Sequence, residues 1–266
     1  MKVIILAGGT GTRLRSIIAD VPKPMAPVGG KPFLEYIILA LAAQGLNEII
    51  LSVGYKNNII QSHFEDGSRW GANILYSRED APLGTGGAIR EALKVADEPH
   101  CLILNGDTFN QLNFLEMESH HLSKKCLVTI GLKLKKNAGR YGSVKVNDTL
   151  DIVGFYEKSE VGTGYVSCGA YIMDKAILDR MPSGHFSLEN ELFPDLIGAG
   201  ICGFVSRGFF IDIGIPSTYH YINDNCRLLT QSNSGETIHD TIRVQGTREG
   251  IEADNNRKRR VQEDLP

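Results

Sequence analysis

A glycine-rich loop near the start of the chain carries the residues best suited to binding a polyphosphate. It follows the apolar run at 3–7, and its glycines are Gly8, Gly9 and Gly11. Glycines let the backbone approach a ligand closely and turn N–H groups toward it. Arg13, and Lys23 between two prolines, add positive charge on a stiff segment. The pattern predicts a site where backbone N–H groups and cations hold a chain of phosphates.

Two common nucleotide-binding patterns do not fit this loop. In the dinucleotide fingerprint the third glycine falls on Leu14, and no acidic residue closes a following strand at the expected offset of ~20 residues. A Walker phosphate loop is absent, since no Gly-Lys-Ser/Thr follows a spaced glycine. The remaining interpretation is that Arg13 and Lys23 neutralise a triphosphate while its α-phosphorus is attacked.

Asp107 and Asp212 each lie at the carboxyl end of an apolar strand. Ligands of open α/β sheets bind at that edge, which would bring together two residues about a hundred positions apart. Mg²⁺ prefers a few carboxylate oxygens together with phosphate oxygens and water. The pair predicts a magnesium site, and a strand cap or turn residue is the alternative for each aspartate alone.

A second glycine-rich segment at 82–87 follows Glu79. Its glycines would let a planar base lie against the backbone. Guanine presents N1–H and its N2 amine side by side, and one carboxylate accepts from both, whereas uracil and thymine offer no such pair. Glu79 favours guanine if it faces the base; a surface glutamate is the alternative.

A further group consists of Glu157 and Lys158, with the segment 140–142 and Glu189. A lysine that closes a strand would hold a second phosphate, and an exposed salt bridge is the alternative. The adjacent histidines at 120 and 121 cannot share a helix face, so we expect both to be structural. No Ser-His-Asp or Cys-His pattern requires a covalent intermediate.

The elements that position these residues alternate between strand and helix over the first ~120 residues. Strand patterns lie at 3–7, 48–53, 73–76 and 100–104, and helix patterns at 32–42, 57–64, 88–96 and 112–122. Beyond them, strand patterns at 127–134, 143–146, 152–157 and 166–173 follow without long helices between, and 189–197 and 217–229 are helical. The prediction is an α/β fold with a Rossmann-like, doubly wound, mixed sheet.

Composition places the chain among ordinary globular proteins. Its 266 residues are 42% hydrophobic and 22% charged, with a net charge of −3, which gives no reason to expect a nucleic-acid or membrane partner. Residues 232–266 contain no aromatic and end in a basic cluster at 257–260. We expect a domain at 1–231 and a disordered tail at 232–266, for which nucleic-acid or membrane contact is the alternative.

Location is predicted from two further features. No apolar run approaches the roughly 20 residues of a membrane span, and the first strand begins too early to leave room for a signal peptide. The five cysteines are widely spaced without a Cys-x-x-Cys pair, as is typical of buried thiols in a reducing compartment. We therefore expect a cytoplasmic protein; a homo-oligomer is left open.

Taken together, the motifs at 6–14 and 22–25 resemble the sugar-1-phosphate nucleotidyltransferases. The resemblance covers about residues 1–230 and continues in order through the segments 82–87, 105–107, 140–142, 157–158 and 212–214. Within that family the chain is most similar to guanylyltransferases of D-glycero-α-D-manno-heptose 1-phosphate, through 25–28, 30–36, 83–90, 186–189 and 210–216. One departure concerns the sugar: Ser167 stands where the family often has an asparagine two residues before the glycine at Gly169.

The resemblance implies a role for each site residue. Nucleotide binding is implied for Leu6, Ala7, Gly8, Gly9, Gly11, Thr12, Arg13, Glu79, Gly84, Thr85, Gly86 and Asn105. Sugar-phosphate binding is implied for Gly142, Glu157, Lys158, Gly169 and Glu189. The implied catalytic set is Arg13, Lys23, Asp107 and Asp212, of which the two aspartates hold Mg²⁺.

The implied reaction transfers GMP from GTP to a sugar 1-phosphate, giving a GDP-sugar and pyrophosphate for surface polysaccharide biosynthesis. Uridylyl or thymidylyl transfer to a hexose 1-phosphate is the alternative with the same chemistry. A non-catalytic nucleotide-sugar sensor is the alternative of a different class, and the missing third glycine disfavours a nicotinamide-dependent enzyme.

Overall fold

The computed structural model describes residues 1–9, 11, 14, 17–18, 20–136, 138, 142–156 and 162–231. The predicted tail at 232–266 lies outside these residues, and so do the predicted site residues Thr12, Arg13, Glu157 and Lys158. The boundary of the domain at 231 therefore stays a prediction.

The strands and helices follow the alternation that the sequence pattern predicts. In chain order they are β1 (Lys2–Leu6), β2 (Pro27–Val28), β3 (Lys31–Pro32), α1 (Phe33–Ala42), β4 (Glu48–Val53), α2 (Asn57–Phe64), β5 (Asn73–Arg78), α3 (Gly84–Val95), β6 (His100–Asn105), β7 (Thr108–Asn110), α4 (Phe114–Lys124), β8 (Val128–Lys135), β9 (Ser143–Val146), β10 (Ile152–Tyr156), β11 (Gly164–Asp174), α5 (Phe193–Asp195), β12 (Ile201–Ser206), β13 (Phe210–Asp212) and α6 (Pro216–Asp224). Short 3₁₀ turns lie at Lys23–Met25, Ser68–Trp70, Lys175–Asp179 and Cys226–Leu229, and a π-helical turn at Leu188–Leu192. No helix within the described ranges is long and apolar enough to cross a membrane.

The central sheet is mixed. Strands β5, β4, β1 and β6 lie side by side and parallel. Strand β11 runs antiparallel to β6 and β8, β12 pairs in parallel with β8, and β9 and β10 form an antiparallel extension of β11. Strands β7 and β13 form a separate two-stranded ribbon. This arrangement confirms the predicted Rossmann-like, doubly wound, mixed α/β fold.

Side chains of β1 alternate between two hydrophobic cores. Val3 and Ile5 belong to the core that contains Phe33 of α1, whereas Ile4 belongs to the core that contains Ile89 of α3. Successive side chains of a strand point to opposite faces, so a strand covered by helices on both faces is apolar throughout. The uninterrupted apolar run at 3–7 follows from this double burial.

Several bounds differ from the predicted ones for physical reasons. Helix α3 begins at Gly84, because its glycines form the first helical turn against Phe186. The three-residue strand β7 and strand β12 were not predicted. Strand β7 forms by pairing with β13, about a hundred residues later, and such a partner leaves no local pattern.

His121 of α4 is buried and connected to a small polar network. Its Nδ1 lies 2.8 Å from Thr129 Oγ1, and its ring centroid is 5.8 Å from that of His100, which in turn contacts Glu118 at 2.7 Å. Burial, reinforced by the neighbouring His100, lowers the pKa of His121 to about 4. The imidazole is therefore held neutral inside the fold at neutral pH.

This burial predicts a loss of stability in mild acid. Unfolded His121 titrates near 6.5 and folded His121 near about 4, so between these values the unfolded chain binds the extra proton. We expect the free energy of unfolding, measured with urea, to fall through this window as pH is lowered. The fall should be shallower in His121→Gln; equal slopes in the two proteins would contradict the assignment.

Candidate active site at the strand ends

Asp107 and Asp212 meet although they are far apart in the chain. Asp107 follows β6, and Asp212 ends β13, where it pairs with Thr108 in the β7–β13 ribbon. The N–H of Ile213 donates a hydrogen bond of 2.9 Å to the carbonyl oxygen of Asp107. The structure thus places the two predicted metal ligands side by side.

Lys23 joins this pair. Its Nζ forms an ion pair with Asp107 Oδ2. A Cβ built on Gly214 would lie 2.7 Å from Asp212 Oδ1 and 3.3 Å from Lys23 Nζ, so both charged groups border the space that this glycine leaves open. The side chains of Lys23 and Asp107 are 16% and 31% exposed, which leaves the cluster accessible to a ligand.

The first glycine loop lies against Lys23. Gly11 has a φ of +58°, and a Cβ on it would come within 2.9 Å of Lys23 Cβ. Leu14 is buried in the core, and its N–H donates to the carbonyl of Gly11 at 3.1 Å. Leucine in the place of a third glycine therefore fixes this part of the chain to the hydrophobic core.

Glu79 lies beside the same loop. A Cβ on Gly8 would be 2.6 Å from Glu79 Oε1. Oε1 accepts a hydrogen bond from Ser52 Oγ at 3.4 Å, and Oε2 accepts one from the N–H of Leu83 at 3.1 Å. Burial raises the pKa of Glu79, and these two donors act against the rise by favouring the carboxylate. The side chain is half-buried next to the glycine loop.

The second glycine segment packs closely on the chain at Phe186. A Cβ would lie 2.5 Å from the Phe186 carbonyl oxygen if built on Gly84, and 2.1 Å from Phe186 Cε2 if built on Gly86. Gly86 N–H donates to the Phe186 carbonyl at 3.0 Å, and Phe186 N–H donates to that of Leu83 at 3.1 Å. Close packing thus explains why these positions are glycine, and their contact with a base stays a prediction.

Three of the predicted sugar-phosphate residues, Gly142, Gly169 and Glu189, lie in the part of the chain that the structure describes. Glu189 Oε2 accepts a hydrogen bond from Thr85 Oγ1 at 3.0 Å. Gly169, with a φ of +68°, packs on Asn105, since a Cβ on it would be 2.8 Å from Asn105 Nδ2. Gly142 immediately precedes β9 and has a φ of +80°.

Three residues that were not among the predicted site residues support the site. Ser52 is fully buried within the apolar strand β4, and a lone hydroxyl in such a strand was the available signal. Tyr171 is buried in β11 and receives a hydrogen bond from Ser167 Oγ at 3.3 Å. Gly214 was visible only as part of a motif, since its closeness to Lys23 depends on the fold.

Known proteins resemble this chain over most of its length. The family described as "Nucleotidyl transferase" matches residues 2–227. A D-glycero-alpha-D-manno-heptose 1-phosphate guanylyltransferase of Aneurinibacillus thermoaerophilus is 43% identical over 82% of this chain and 95% of its own. One of Campylobacter jejuni subsp. jejuni serotype O:2 is 42% identical over 85% of this chain and 100% of its own.

The fold is also shared with a solved structure. The crystal structure of HddC from Yersinia pseudotuberculosis has a TM-score of 0.77 and 35% identity, and the match covers 85% of this chain and 99% of that chain. The same protein is known in a structure described as complexed with GMP-PN. On these matches and on the residues they span, the chain belongs to the nucleotidyl transferase family.

Proposed function

We propose that the protein transfers GMP from GTP to D-glycero-α-D-manno-heptose 1-phosphate, giving the GDP-sugar and pyrophosphate. The observation that carries this proposal is the convergence of Lys23, Asp107 and Asp212 beneath a glycine loop that also borders the carboxylate of Glu79. The substrate follows the names of relatives that are 43% and 42% identical to the chain. The product would serve surface polysaccharide biosynthesis in the cytoplasm.

The reaction needs positioning and charge stabilisation more than proton transfer. A phosphate oxygen of the sugar 1-phosphate attacks the α-phosphorus of GTP in line, and the bond to the β-phosphate breaks, with its electron pair leaving on pyrophosphate. That attacking oxygen is already ionised near neutral pH, so no strong general base is required. Backbone N–H groups of the glycine loop and the ammonium of Lys23 stabilise the charge on the phosphates.

Asp107 and Asp212 are suited to holding Mg²⁺. Both supply hard carboxylate oxygens, and Gly214 leaves open the space that Asp212 Oδ1 and Lys23 Nζ border. When bound there, the ion supplies further neutralisation of the triphosphate. Lys23 pairs with Asp107 and would contact phosphate oxygens once GTP is present.

Glu79 is the proposed determinant of the base. Its carboxylate is held by Ser52 and by the N–H of Leu83 and lies next to Gly8 of the loop. A fixed carboxylate accepts from both N1–H and the N2 amine of guanine, which uracil and thymine cannot offer. Burial raises the pKa of Glu79, and the two donors act against that rise by favouring the carboxylate, the form that this recognition uses.

Substrate choice is measured by a matrix of pyrophosphate release. GTP, UTP, dTTP, CTP and ATP are each combined with D-glycero-α-D-manno-heptose 1-phosphate and with hexose 1-phosphates. We expect the highest kcat/KM for GTP with the heptose. A higher value for UTP or dTTP with a hexose would contradict the proposal, and release from no combination would favour a sensor.

Glu79→Gln tests base recognition. An amide accepts at one atom only and presents N–H groups to the second guanine donor, so the ratio of kcat/KM for GTP over ITP, which lacks the N2 amine, should fall ~10-fold. The matched control is Glu48→Gln, an exposed glutamate on β4. An unchanged ratio of kcat/KM for GTP over ITP in Glu79→Gln would contradict the assignment of Glu79 to base recognition.

The charged cluster is tested by separating cation binding from turnover. Asp212→Asn should lower kcat by orders of magnitude and weaken binding of Mn²⁺, measured by its electron paramagnetic resonance signal. Lys23→Met should also lower kcat yet bind Mn²⁺ at least as tightly, because the ammonium no longer pairs with Asp107.

A control pair exists at the other end of β1. Lys2 and Asp97 form an ion pair there, so Lys2→Met and Asp97→Asn each remove one partner of a lysine–aspartate pair that lies away from the site. Both should retain turnover and Mn²⁺ binding. Near-normal kcat and Mn²⁺ binding in Asp212→Asn would remove the metal assignment.

A further inference from the structure

The hydroxyl of Thr85 is fully engaged by the segment that carries Glu189. Thr85 lies in the first turn of α3, and its Oγ1 accepts a hydrogen bond of 3.0 Å from the N–H of Leu188. The same oxygen donates a hydrogen bond of 3.0 Å to Glu189 Oε2. One hydroxyl therefore fixes both the backbone and the carboxylate of the π-helical turn that begins at Leu188.

The neighbouring contacts make this connection rigid. Phe186 exchanges two backbone hydrogen bonds with the start of α3, of 3.0 and 3.1 Å, and fills the space above Gly84 and Gly86. Ser187 Oγ donates a second hydrogen bond to Glu189 Oε2, at 3.1 Å. Glu189 is exposed, and an exposed glutamate is normally free to change rotamer. Here two hydroxyls from two segments hold one carboxylate oxygen.

A set of contacts leads from Tyr171, near Glu189, to the reacting centre. Tyr171 is buried; burial first, then the carboxylate of Glu189, raises its pKa, and the carboxylate of Asp107 contributes in the same direction. Both acidic groups therefore lie within electrostatic reach of one phenol. The Tyr171 hydroxyl accepts from Ser167 Oγ, which in turn accepts from the N–H of Gly169, each at 3.3 Å.

Gly169 closes this set of contacts because it packs on Asn105 at the carboxyl end of β6, two residues before Asp107. Residues 105, 167, 169 and 171 thus form one polar wall, which we call the acceptor wall, and the Glu189 carboxylate lies within electrostatic reach of its Tyr171. It joins the aspartate pair to the residues that the family resemblance assigns to the sugar phosphate. Among the residues the structure describes, the hydrogen bonds to the Glu189 carboxylate all go to Oε2, which leaves Oε1 to accept from a sugar hydroxyl.

We propose that Thr85 is a positioning residue for the acceptor: its hydroxyl fixes the Glu189 carboxylate so that Glu189 binds a hydroxyl of the sugar 1-phosphate. This inference rests on the proposed function and replaces the direct nucleotide contact expected for Thr85. Helix α3, whose first turn follows Glu79 in the chain, would then take part in binding the second substrate through Thr85.

The test compares Thr85→Val, which keeps the shape and removes the hydroxyl, with Thr85→Ser, which keeps the hydroxyl. We expect Thr85→Val to raise KM for the sugar 1-phosphate ~10-fold while KM for GTP changes less than ~2-fold, and Thr85→Ser to restore the wild-type value. Thr149→Val is the matched control, since Thr149 Oγ1 donates to Asp151 Oδ2 at 2.6 Å in the turn between β9 and β10, at the end of β9 away from Gly142. Its two KM values should stay at those of the wild type.

A double-mutant cycle separates positioning from a merely structural role. If Thr85 acts through Glu189, Thr85→Val should have no further effect on the KM for the sugar 1-phosphate in a Glu189→Ala background. Additive effects, an unchanged KM for the sugar 1-phosphate in Thr85→Val, or an equal rise in KM for GTP would each overturn the inference. The test uses whichever sugar 1-phosphate the wild-type protein turns over with the highest kcat/KM. If that acceptor is not the heptose 1-phosphate, the proposed substrate is refuted, but the test of Thr85 can still be carried out.

Discussion

The contact on which the rest of the structure depends is the ion pair of Lys23 with Asp107, with Asp212 beside it. Three charged groups from distant parts of the chain lie together and partly shielded from water. Removing a charge from water costs free energy unless an opposite charge compensates it, and the ammonium of Lys23 supplies that charge to the carboxylates beside it. Lys23 is presented by a 3₁₀ turn after β1, Asp107 by β6 and Asp212 by the β7–β13 ribbon. The fold thus brings three separate segments to one edge of the sheet.

Close approach of backbone to side chain shapes the space around this cluster. Gly8 makes room for the Glu79 carboxylate, Gly11 for the stem of Lys23, and Gly214 for the groups of Asp212 and Lys23. Any side chain at these places would meet atoms at 2.6 to 2.9 Å from its Cβ. The glycines therefore do two things at once: they expose N–H groups to a phosphate and let the charged side chains converge beneath it.

The sequence was most informative where a pattern is local. Strand β4 and helix α2 have the predicted bounds, because alternation and helical spacing are properties of a short window. Asp107 and Asp212 were found because each ends an apolar strand at the edge where such folds bind ligands. Strand β7 was missed because its partner is about a hundred residues away. The hydrogen bonds that Ser52 and Thr85 donate could not be predicted either, because tertiary packing places their acceptors, Glu79 and Glu189.

In the reaction we propose, the sugar phosphate attacks the α-phosphorus of GTP directly, in one displacement. The most direct test uses GTP made chiral at the α-phosphorus with sulfur, turned over with the sugar 1-phosphate, and measures the configuration of the product by ³¹P resonance. A single in-line displacement at Lys23, Asp107 and Asp212 predicts inversion at that phosphorus. Retention would show two displacements through a covalent guanylyl-enzyme and would contradict the account.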